Sequence, residues 1–378
     1  MTVPREWETF VSGMVSNMSG WLSIQQESIM NRRSFLVSLA AAANALENVG
    51  QDVAPTSTPG RWRGFNLLEK FIAESKSPFV ERDFAWMQQW GFDFVRLPMD
   101  YRCWARQDDW LTLDEPELKE IDDAVTLGGK YGVHVSINFH RAPGYSVNPN
   151  PPEPVSLWED ENAQAAFAQH WRHFAARYAG VPNDRVSFNL LNEPAKISED
   201  RYVRVALRAI EAIRDVDADR LIISDGLHWA RQPVKSLAVE GVAQSTRGYD
   251  PMPISHYQAS WVNGSDKWPL PEWPSEDGEN SWNQDRLRTM YDAWRDLAES
   301  GVVVHVGEFG AFNRTPHAVV MAWMKDNLEI WKEAGWGWAL WNLRGSFGVV
   351  DSGRSDVVYE EFDGHKLDKA MLDLLRNF

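Results

Sequence analysis

The chain has 378 residues, of which 44% are hydrophobic, and a formal net charge of −16 at pH 7. This length and hydrophobic content are sufficient for one large domain with an extensive core. The strong negative charge argues against nucleic acid or an anionic membrane as a partner. The sequence contains no apolar run of about 18 residues, so no transmembrane helix is predicted. Cys103 is the only cysteine, so no intrachain disulfide can form.

The first 60 residues differ in composition from the rest of the chain. Two arginines at 32–33 precede a mildly apolar stretch that ends in alanines near Ala45, a pattern typical of a twin-arginine export signal. We therefore expect an N-terminal extension with this signal over 1–45, a Pro-, Thr- and Ser-rich linker over 46–60 and a catalytic domain over 61–378. The protein is expected to be exported to the periplasm or the extracellular space. An ordinary amphipathic helix is the alternative interpretation of the signal.

From residue 61 onward, short apolar segments alternate with longer amphipathic ones. The short segments are rich in Val, Ile, Phe or Trp, as in fully buried parallel strands, and the longer ones have helical periodicity. Eight strand–helix units predict an α/β fold, the (β/α)8 TIM barrel. The predicted strands are 62–66, 92–97, 133–139, 186–191, 220–224, 252–257, 302–307 and 336–342. The longer predicted helices are 115–131, 163–178, 201–216, 286–300 and 317–334.

Two glutamates lie where buried strands are predicted to end. Glu193 follows the strand 186–191 and Glu308 follows the strand 302–307, so only the fold can bring them together. In a TIM barrel the active site lies at the carboxyl ends of the strands. Two carboxylates that face one pocket are the machinery of glycosidic-bond cleavage, one as acid and base and the other as nucleophile.

Other polar or aromatic residues also fall at predicted strand ends. Each has a structural alternative, because an arginine can be an ion-pair partner, a histidine a satisfied core residue and a tryptophan part of the barrel packing. Their regular placement favours a site that binds substrate and supports the two glutamates. These residues are Arg96, His140, Asn192, His256, Tyr257 and Trp341.

With these motifs, residues 61–378 resemble glycoside hydrolase family 5, the cellulase-type family of (β/α)8 retaining glycosidases. The Asn-Glu-Pro segment around Glu193 resembles its acid/base signature, and the Gly-Glu-Phe-Gly segment around Glu308 resembles its nucleophile motif. The family also has an arginine that binds the nucleophile, a strand-3 histidine and a strand-8 tryptophan platform. These are matched here by Arg96, His140 and Trp341.

The resemblance implies a retaining double displacement, with Glu308 as nucleophile and Glu193 as acid and base. It implies no metal and no other cofactor. Asn192 is expected to bind the sugar 2-hydroxyl. The two roles require that Glu308 is ionised and that the pKa of Glu193 is raised, and retention requires carboxyl groups about 5–5.5 Å apart.

The predicted sixth strand departs from the family pattern, which has His-x-Tyr there. The sequence reads Ser255-His256-Tyr257-Gln258. Alignment on the tyrosine makes Tyr257 the phenol that touches the nucleophile, with Ser255 in the place of the histidine. Alignment on the histidine puts Gln258 where the tyrosine is expected. We prefer the first alignment, because a phenol is needed to orient the nucleophile.

The expected function is hydrolysis of β-linked glycans of the β-glucan or cellulose type by an exported monomer, with a polysaccharide or oligosaccharide as the binding partner. A β-mannanase or an exo-β-glycosidase of the same family is one alternative, and a non-catalytic carbohydrate-binding barrel is another. The proline-rich segment 142–158 and the Trp-rich segment 261–282 do not decide between endo- and exo-action. Arg344 and residues 351–354 either bind further hydroxyls or hold the last loop.

Overall fold

The computed structural model describes residues 61–378 apart from 149, 276, 277, 279 and 280, so the predicted extension and linker lie outside the described residues. Its largest sheet is a barrel of eight parallel strands. They are β1 (Arg63–Asn66), β2 (Phe94–Asp100), β3 (His134–Ala142), β4 (Val186–Asn189), β5 (Ile222–Asp225), β6 (Ala243–Gly248), β7 (Val304–Phe309) and β8 (Gly337–Leu340).

The barrel is closed. Each strand from β1 to β7 pairs in parallel with the next one along the chain, and β1 also pairs with β8, with Phe65 opposite Leu340. The predicted TIM barrel is therefore confirmed. All eight carboxyl ends point to one face, which is where this architecture places its active site.

Helices surround the barrel. Their buried residues follow helical spacing, as in the second helix, where Leu118, Ile121 and Val125 face inward. The longer helices are α1 (Glu81–Trp90), α2 (Glu115–Tyr131), α3 (Glu161–Arg177), α4 (Glu199–Arg214), α5 (Gln284–Met290), α6 (Asp292–Glu299), α7 (His317–Glu333) and α8 (Lys369–Arg376). None of the helices in the described residues is long and apolar enough to cross a membrane.

Short elements lie in the connections. Two antiparallel pairs join Ala105–Arg106 with Asp109–Leu113 and Glu360–Phe362 with His365–Leu367, and Tyr145–Ser146 pairs with the end of β3. Short helical segments of one or two turns occupy Ala73–Ser75, Tyr101–Cys103, Leu227–Ala230, Lys235–Glu240, Met252–Ser255 and Ser265–Lys267.

Seven of the predicted strands coincide with barrel strands, but the sixth is wrong. The structure places β6 at Ala243–Gly248, and part of the predicted strand 252–257 forms the helical turn Met252–Ser255. The predicted helix 286–300 is also interrupted, since α5 and α6 meet at Tyr291. The other predicted helices agree within about two residues at each end.

β6 escaped prediction because it is polar although every residue in it is buried. The Gln244 side chain bonds both the backbone N–H and the carbonyl of Val234, each at 2.8 Å, and Thr246 donates to the Ala230 carbonyl. Buried polar groups are tolerated when they have such partners. The absence of apolar residues therefore does not exclude a central strand.

Candidate active site

Glu193 and Glu308 meet at the carboxyl face of the barrel, where both contact the guanidinium group of Arg247. Arg247 Nε lies 2.9 Å from Glu193 Oε1, and its Nη2 lies 3.3 Å from Glu308 Oε1. Arg247 belongs to the polar strand β6, and only 4% of it is exposed. One planar cation thus joins the two carboxyl groups that the sequence analysis singled out.

Glu308 is buried and held at both of its oxygens. Arg96 Nη1 donates to Glu308 Oε1 at 2.5 Å, and the Tyr249 hydroxyl donates to Oε2 at 3.1 Å. Charge-assisted hydrogen bonds of this kind are the strong ones in proteins, so these contacts fix the orientation of the Glu308 carboxyl group.

A backbone irregularity in β7 aims Glu308 into the barrel mouth. The pairing of β7 with both neighbouring strands shifts register around Gly307, which is how β-bulges redirect a side chain. A Cβ atom on Gly307 would lie 2.4 Å from Ser245 Oγ and 3.0 Å from Arg247 Nη1. The glycine therefore leaves the space in which Arg247 lies.

The backbone of Glu193 is strained and pinned. Its φ is 47°, in the left-handed region that non-glycine residues rarely adopt. Its N–H donates to Asp225 Oδ2 at 3.0 Å, and its carbonyl accepts from the Tyr145 hydroxyl at 2.6 Å. These two bonds hold the acidic side chain in one direction.

The pKa of Glu193 is raised to about 7. Burial is the largest cause, and the negative charge of Glu308 adds to it, while Arg247 opposes the rise. A carboxyl group with such a pKa is protonated in a large share of molecules near neutral pH and can both give and accept a proton.

Asp225, at the end of β5, is fully buried and stabilises the arrangement of the two glutamates. It accepts from Asn189 Nδ2 at 2.9 Å and from Arg247 Nη2. Burial pushes the pKa of Asp225 up, but Arg247 and then Arg96 outweigh it, and the net shift is downward. Asp225 is therefore a fixed anion in the site.

Arg96 is held by three amide side chains from the ends of two strands, β1 and β4. It donates to Asn189 at 2.7 Å, to Asn192 at 2.8 Å and to Asn66 at 3.1 Å. All four residues are buried. Sequence reasoning found Arg96 and Asn192 but assigned no site role to Asn189.

Asn192, His140 and Trp341 lie together on one side of this network. Asn192 Oδ1 accepts from Arg96 and Arg247, and its Nδ2 lies 3.5 Å from His140 Nε2. Burial, and then the charge of Arg96, lower the pKa of His140 well below its usual range, so the ring is neutral. The Trp341 ring centroid lies 5.7 Å from that of His140, and the tryptophan is partly exposed.

The residues expected from the sixth strand need correction. The phenol bonded to Glu308 belongs to Tyr249, directly after β6, and not to Tyr257. His256 bonds Ser255 Oγ at 2.8 Å, and its ring packs 5.1 Å from that of Tyr249, so it supports the phenol from behind. The missed signal is the spacing Arg247-x-Tyr249, which reproduces His-x-Tyr with arginine in place of histidine.

Beyond the carboxylates, a cavity of about 250 Å³ opens between the ends of β1 and β8. Its lining includes Asn66, Glu69, Asn342 and Arg344. Glu69 Oε2 and Asn342 Oδ1 are buried without a hydrogen-bond partner. The cavity is several times larger than the volume of one water, about 30 Å³, and offers acceptors to a hydroxyl-rich ligand.

The two arginines after β8 have separate roles. Arg344 pairs with Glu69 at 2.9 Å and with Asp83 at 2.8 Å, and therefore ties the cavity wall to α1. Arg354 is buried and donates to the carbonyls of Ala311, Phe312 and Thr315. Arg354 therefore holds the last loop.

An aromatic cluster covers another part of the rim. Trp261 is 57% exposed. Its ring centroid lies 4.8 Å from that of Phe312, 6.2 Å from that of His256 and 6.3 Å from that of Phe347. Other described tryptophans of this loop are half-buried, as in Trp273, which donates to Asp326 of α7. Trp261 thus offers the ring that is most open to a ligand in this loop.

Among the residues that the structure describes, no group of three or more His, Cys, Asp or Glu side chains is arranged to hold a metal ion. The barrel, its paired carboxylates at the strand ends and their arginine and tyrosine partners define a (β/α)8 glycoside hydrolase.

Comparison with known proteins places the chain within this class. A family model described as cellulase (glycosyl hydrolase family 5) matches residues 52–346, and the chain belongs to this family. The family and the enzyme class expected from the sequence are therefore confirmed.

Individual relatives share between 22% and 39% sequence identity with the chain. The chain is similar to endoglucanase C of Acetivibrio thermocellus, with 26% identity over 328 residues that cover 80% of this chain and 94% of the relative. A crystal structure of a glycoside hydrolase shares 39% identity at a TM-score of 0.80 and covers 84% of this chain and 99% of its own. Endoglucanase Cel5A of Thermotoga maritima shares the fold, with 22% identity, a TM-score of 0.69 and coverage of 83% and 96%.

Proposed function

We propose that the protein hydrolyses β-linked glucans with retention of configuration, with Glu308 as nucleophile and Glu193 as acid and base. One observation carries the proposal: two carboxyl groups share the guanidinium of Arg247 but have different surroundings. The relatives named endoglucanase support glucan as the substrate.

The surroundings of Glu308 suit a nucleophile. Arg96 and Arg247 contact Oε1, whereas Oε2 receives a single bond from the neutral Tyr249 hydroxyl. Burial and the Glu308 charge raise the pKa of Tyr249 well above its usual range, so the phenol keeps its proton and remains a donor. The nucleophile is thus oriented by a neutral hydrogen-bond donor at Oε2.

The surroundings of Glu193 suit proton transfer. In the first step, Glu308 attacks the anomeric carbon, the glycosidic C–O bond breaks, and the leaving oxygen takes the proton of Glu193. The products are a glycosyl ester of Glu308 and an ionised Glu193. In the second step, Glu193 takes a proton from water, the water oxygen bonds to the anomeric carbon, and the ester bond breaks to restore both groups.

Binding features on two parts of the rim favour a substrate of several sugar units. The polar cavity lies beside β1 and β8, where its unpartnered oxygens can accept bonds from hydroxyls. The exposed Trp261 ring can stack on a pyranose face. We therefore propose endo-action on a glucan chain, with mannan hydrolysis and exo-action as outcomes to be separated by experiment.

The test is hydrolysis of barley β-glucan, carboxymethylcellulose, laminarin, glucomannan and aryl β-glycosides by the wild-type protein and by Glu308→Gln. We expect glucan hydrolysis that is abolished in the variant, a first product that is the β-anomer by proton NMR, and a rapid fall in viscosity. Glu211→Gln, on the exposed face of α4, is the matched control and should retain activity. Binding without any hydrolysis by the wild type would favour a non-catalytic barrel.

We also propose that the protein is exported by the twin-arginine route, supported by Arg32, Arg33 and the alanine-rich stretch that follows. Fusion of residues 1–60 to a reporter that is active only after export should give a signal. The paired change Arg32→Lys with Arg33→Lys should abolish it. Equal export of both fusions would contradict this route.

A further inference from the structure

Arg247 uses all of its donor groups inside the site. Besides its contacts with the two glutamates, Nη2 donates to Asn192 and to Asp225, and Nη1 donates to Ser245 Oγ at 3.0 Å. The guanidinium is therefore fixed in its plane by neighbours that do not react.

The full charges around this guanidinium balance in a particular way. Arg96 and Arg247 are two cations, and Asp225, Glu193 and Glu308 are three carboxyl groups, all in contact with at least one of these arginines. With Glu193 protonated, two cations face two anions. After glycosylation, Glu308 is a neutral ester and Glu193 is ionised, so two cations again face two anions.

We propose that Arg247, fixed by Asp225, is a positioning residue that supplies the counter-charge to whichever of the two glutamates is ionised, Glu308 in the free enzyme and Glu193 in the glycosyl-enzyme. The inference rests on the proposed function. Uncompensated charge is costly in a buried site, so neither the free enzyme nor the glycosyl-enzyme is penalised by an unpaired charge.

Geometry supports a role beyond a simple ion pair. Asp225 Oδ2 accepts both from Arg247 and from the Glu193 N–H at 3.0 Å, so one carboxylate fixes the cation and the strained backbone of the acid. The absence of a side chain at Gly307 makes room for Arg247 Nη1. The acid, its cation and the nucleophile are thus located by a common set of contacts.

Other ionisable groups face the same centre. They are Arg96 from β2, His140 from β3, Tyr145 and Tyr249 from the loops, and Arg231, which pairs with Asp250 at 2.8 Å. Burial keeps His140 and both tyrosines neutral near pH 7. Arg247 and Asp225 can be changed while the ion pair of Arg96 with the nucleophile stays in place.

The test compares pH profiles of kcat/KM on an aryl β-cellobioside, each with an acidic and an alkaline limb. Arg247 lowers the pKa of Glu193, so in Arg247→Met the loss of this cation should move the alkaline limb, which reports the acid Glu193, to higher pH by about 1–3 units. Arg247→Lys keeps the positive charge but not the planar set of N–H donors of the guanidinium group. Its kcat should fall, while its limbs should remain within a few tenths of a unit of the wild type.

Asp225→Asn provides the opposite sign. The charge of Asp225 raises the pKa of Glu193, so its loss should move the alkaline limb to lower pH. The double variant Asp225→Asn with Arg247→Met removes a neutral pair, and its limbs should return towards those of the wild type. A role in packing alone would lower the rate in all of these variants without moving the limbs in opposite directions.

A readout without activity covers variants that are too slow to assay. The Glu193 carboxyl can be titrated by carbon NMR in glutamate-labelled protein, with Glu193→Gln to identify the signal. Its midpoint should rise in Arg247→Met and fall in Asp225→Asn, and unchanged midpoints would overturn the inference. A wild type that hydrolyses no glycan would instead contradict the proposed function.

Discussion

At the amino-terminal end of the barrel, His134 and His305 are buried as neutral rings, whereas at the carboxyl-terminal end Arg96 and Arg247 are buried as cations. Burial lowers the pKa of both histidines to about 3. His134 is satisfied by the Asp184 carbonyl at 3.0 Å and Ser187 Oγ at 2.8 Å. No carboxylate is needed there, because the rings carry no charge.

The difference shows what each end is selected to do. At the first end, Trp62 stacks on His134 with 3.7 Å between ring centroids, and Phe94 packs 4.5 Å from His305, which closes the barrel with aromatic rings. At the other end, cations and carboxylates are retained although apolar side chains would be less costly to bury. Charge is kept where bonds are to be broken.

The largest expected effect is at the charged end. Glu193→Gln removes the proton donor, so kcat on a glucan should fall by about 10²–10⁴-fold. With an aryl glycoside whose phenol leaves without protonation, the rate of the first step, glycosylation, should fall much less. The second step, hydrolysis of the glycosyl-enzyme, should then limit the overall rate. Steady-state kinetics on both substrates measure this, and equal losses on both would contradict the acid role.

The neutral end is expected to control acid stability. The histidines bind protons when unfolded near pH 6.5 but not when folded until about pH 3. The unfolded state therefore binds more protons in this window, and the free energy of unfolding should fall by roughly 1 kcal/mol per pH unit for each ring as pH decreases. Denaturant titrations should show that the free energy of unfolding falls less steeply with decreasing pH in His134→Gln. The pH profile of its activity should not change.

The same contrast explains what the sequence revealed. Barrel strands such as β4, with Val186 and Phe188, are apolar because they pack against helices, and they were predicted correctly. Both glutamates were found because carboxylates are unusual near the carboxyl ends of such strands. β6 carries Gln244, Thr246 and Arg247, which have partners in other segments, and nothing local in the sequence indicates that these partners exist.

The next prediction tests the corrected sixth strand. Tyr249→Phe removes a hydrogen bond to a charged carboxylate, which is worth about 1.5–3 kcal/mol, so kcat/KM should fall by roughly 10–100-fold. Tyr257→Phe is the matched control, because the phenol bonded to Glu308 belongs to Tyr249. Kinetics on an aryl β-cellobioside compare the two variants. A larger loss in Tyr257→Phe would restore the original alignment.

The smallest effect is expected at the rim, outside both ends of the barrel. Trp261→Ala removes an exposed ring that Phe312 and Phe347 support, and an aromatic contact is worth about 0.5–1.5 kcal/mol. KM for long β-glucan should rise by roughly 2–10-fold, while kcat and the kinetics of a short aryl glycoside should not change. Leu270→Ala, exposed in the same loop, is the control. An equal loss on short and long substrates would mean that Trp261 supports Tyr249 through His256 and does not bind the distant sugar.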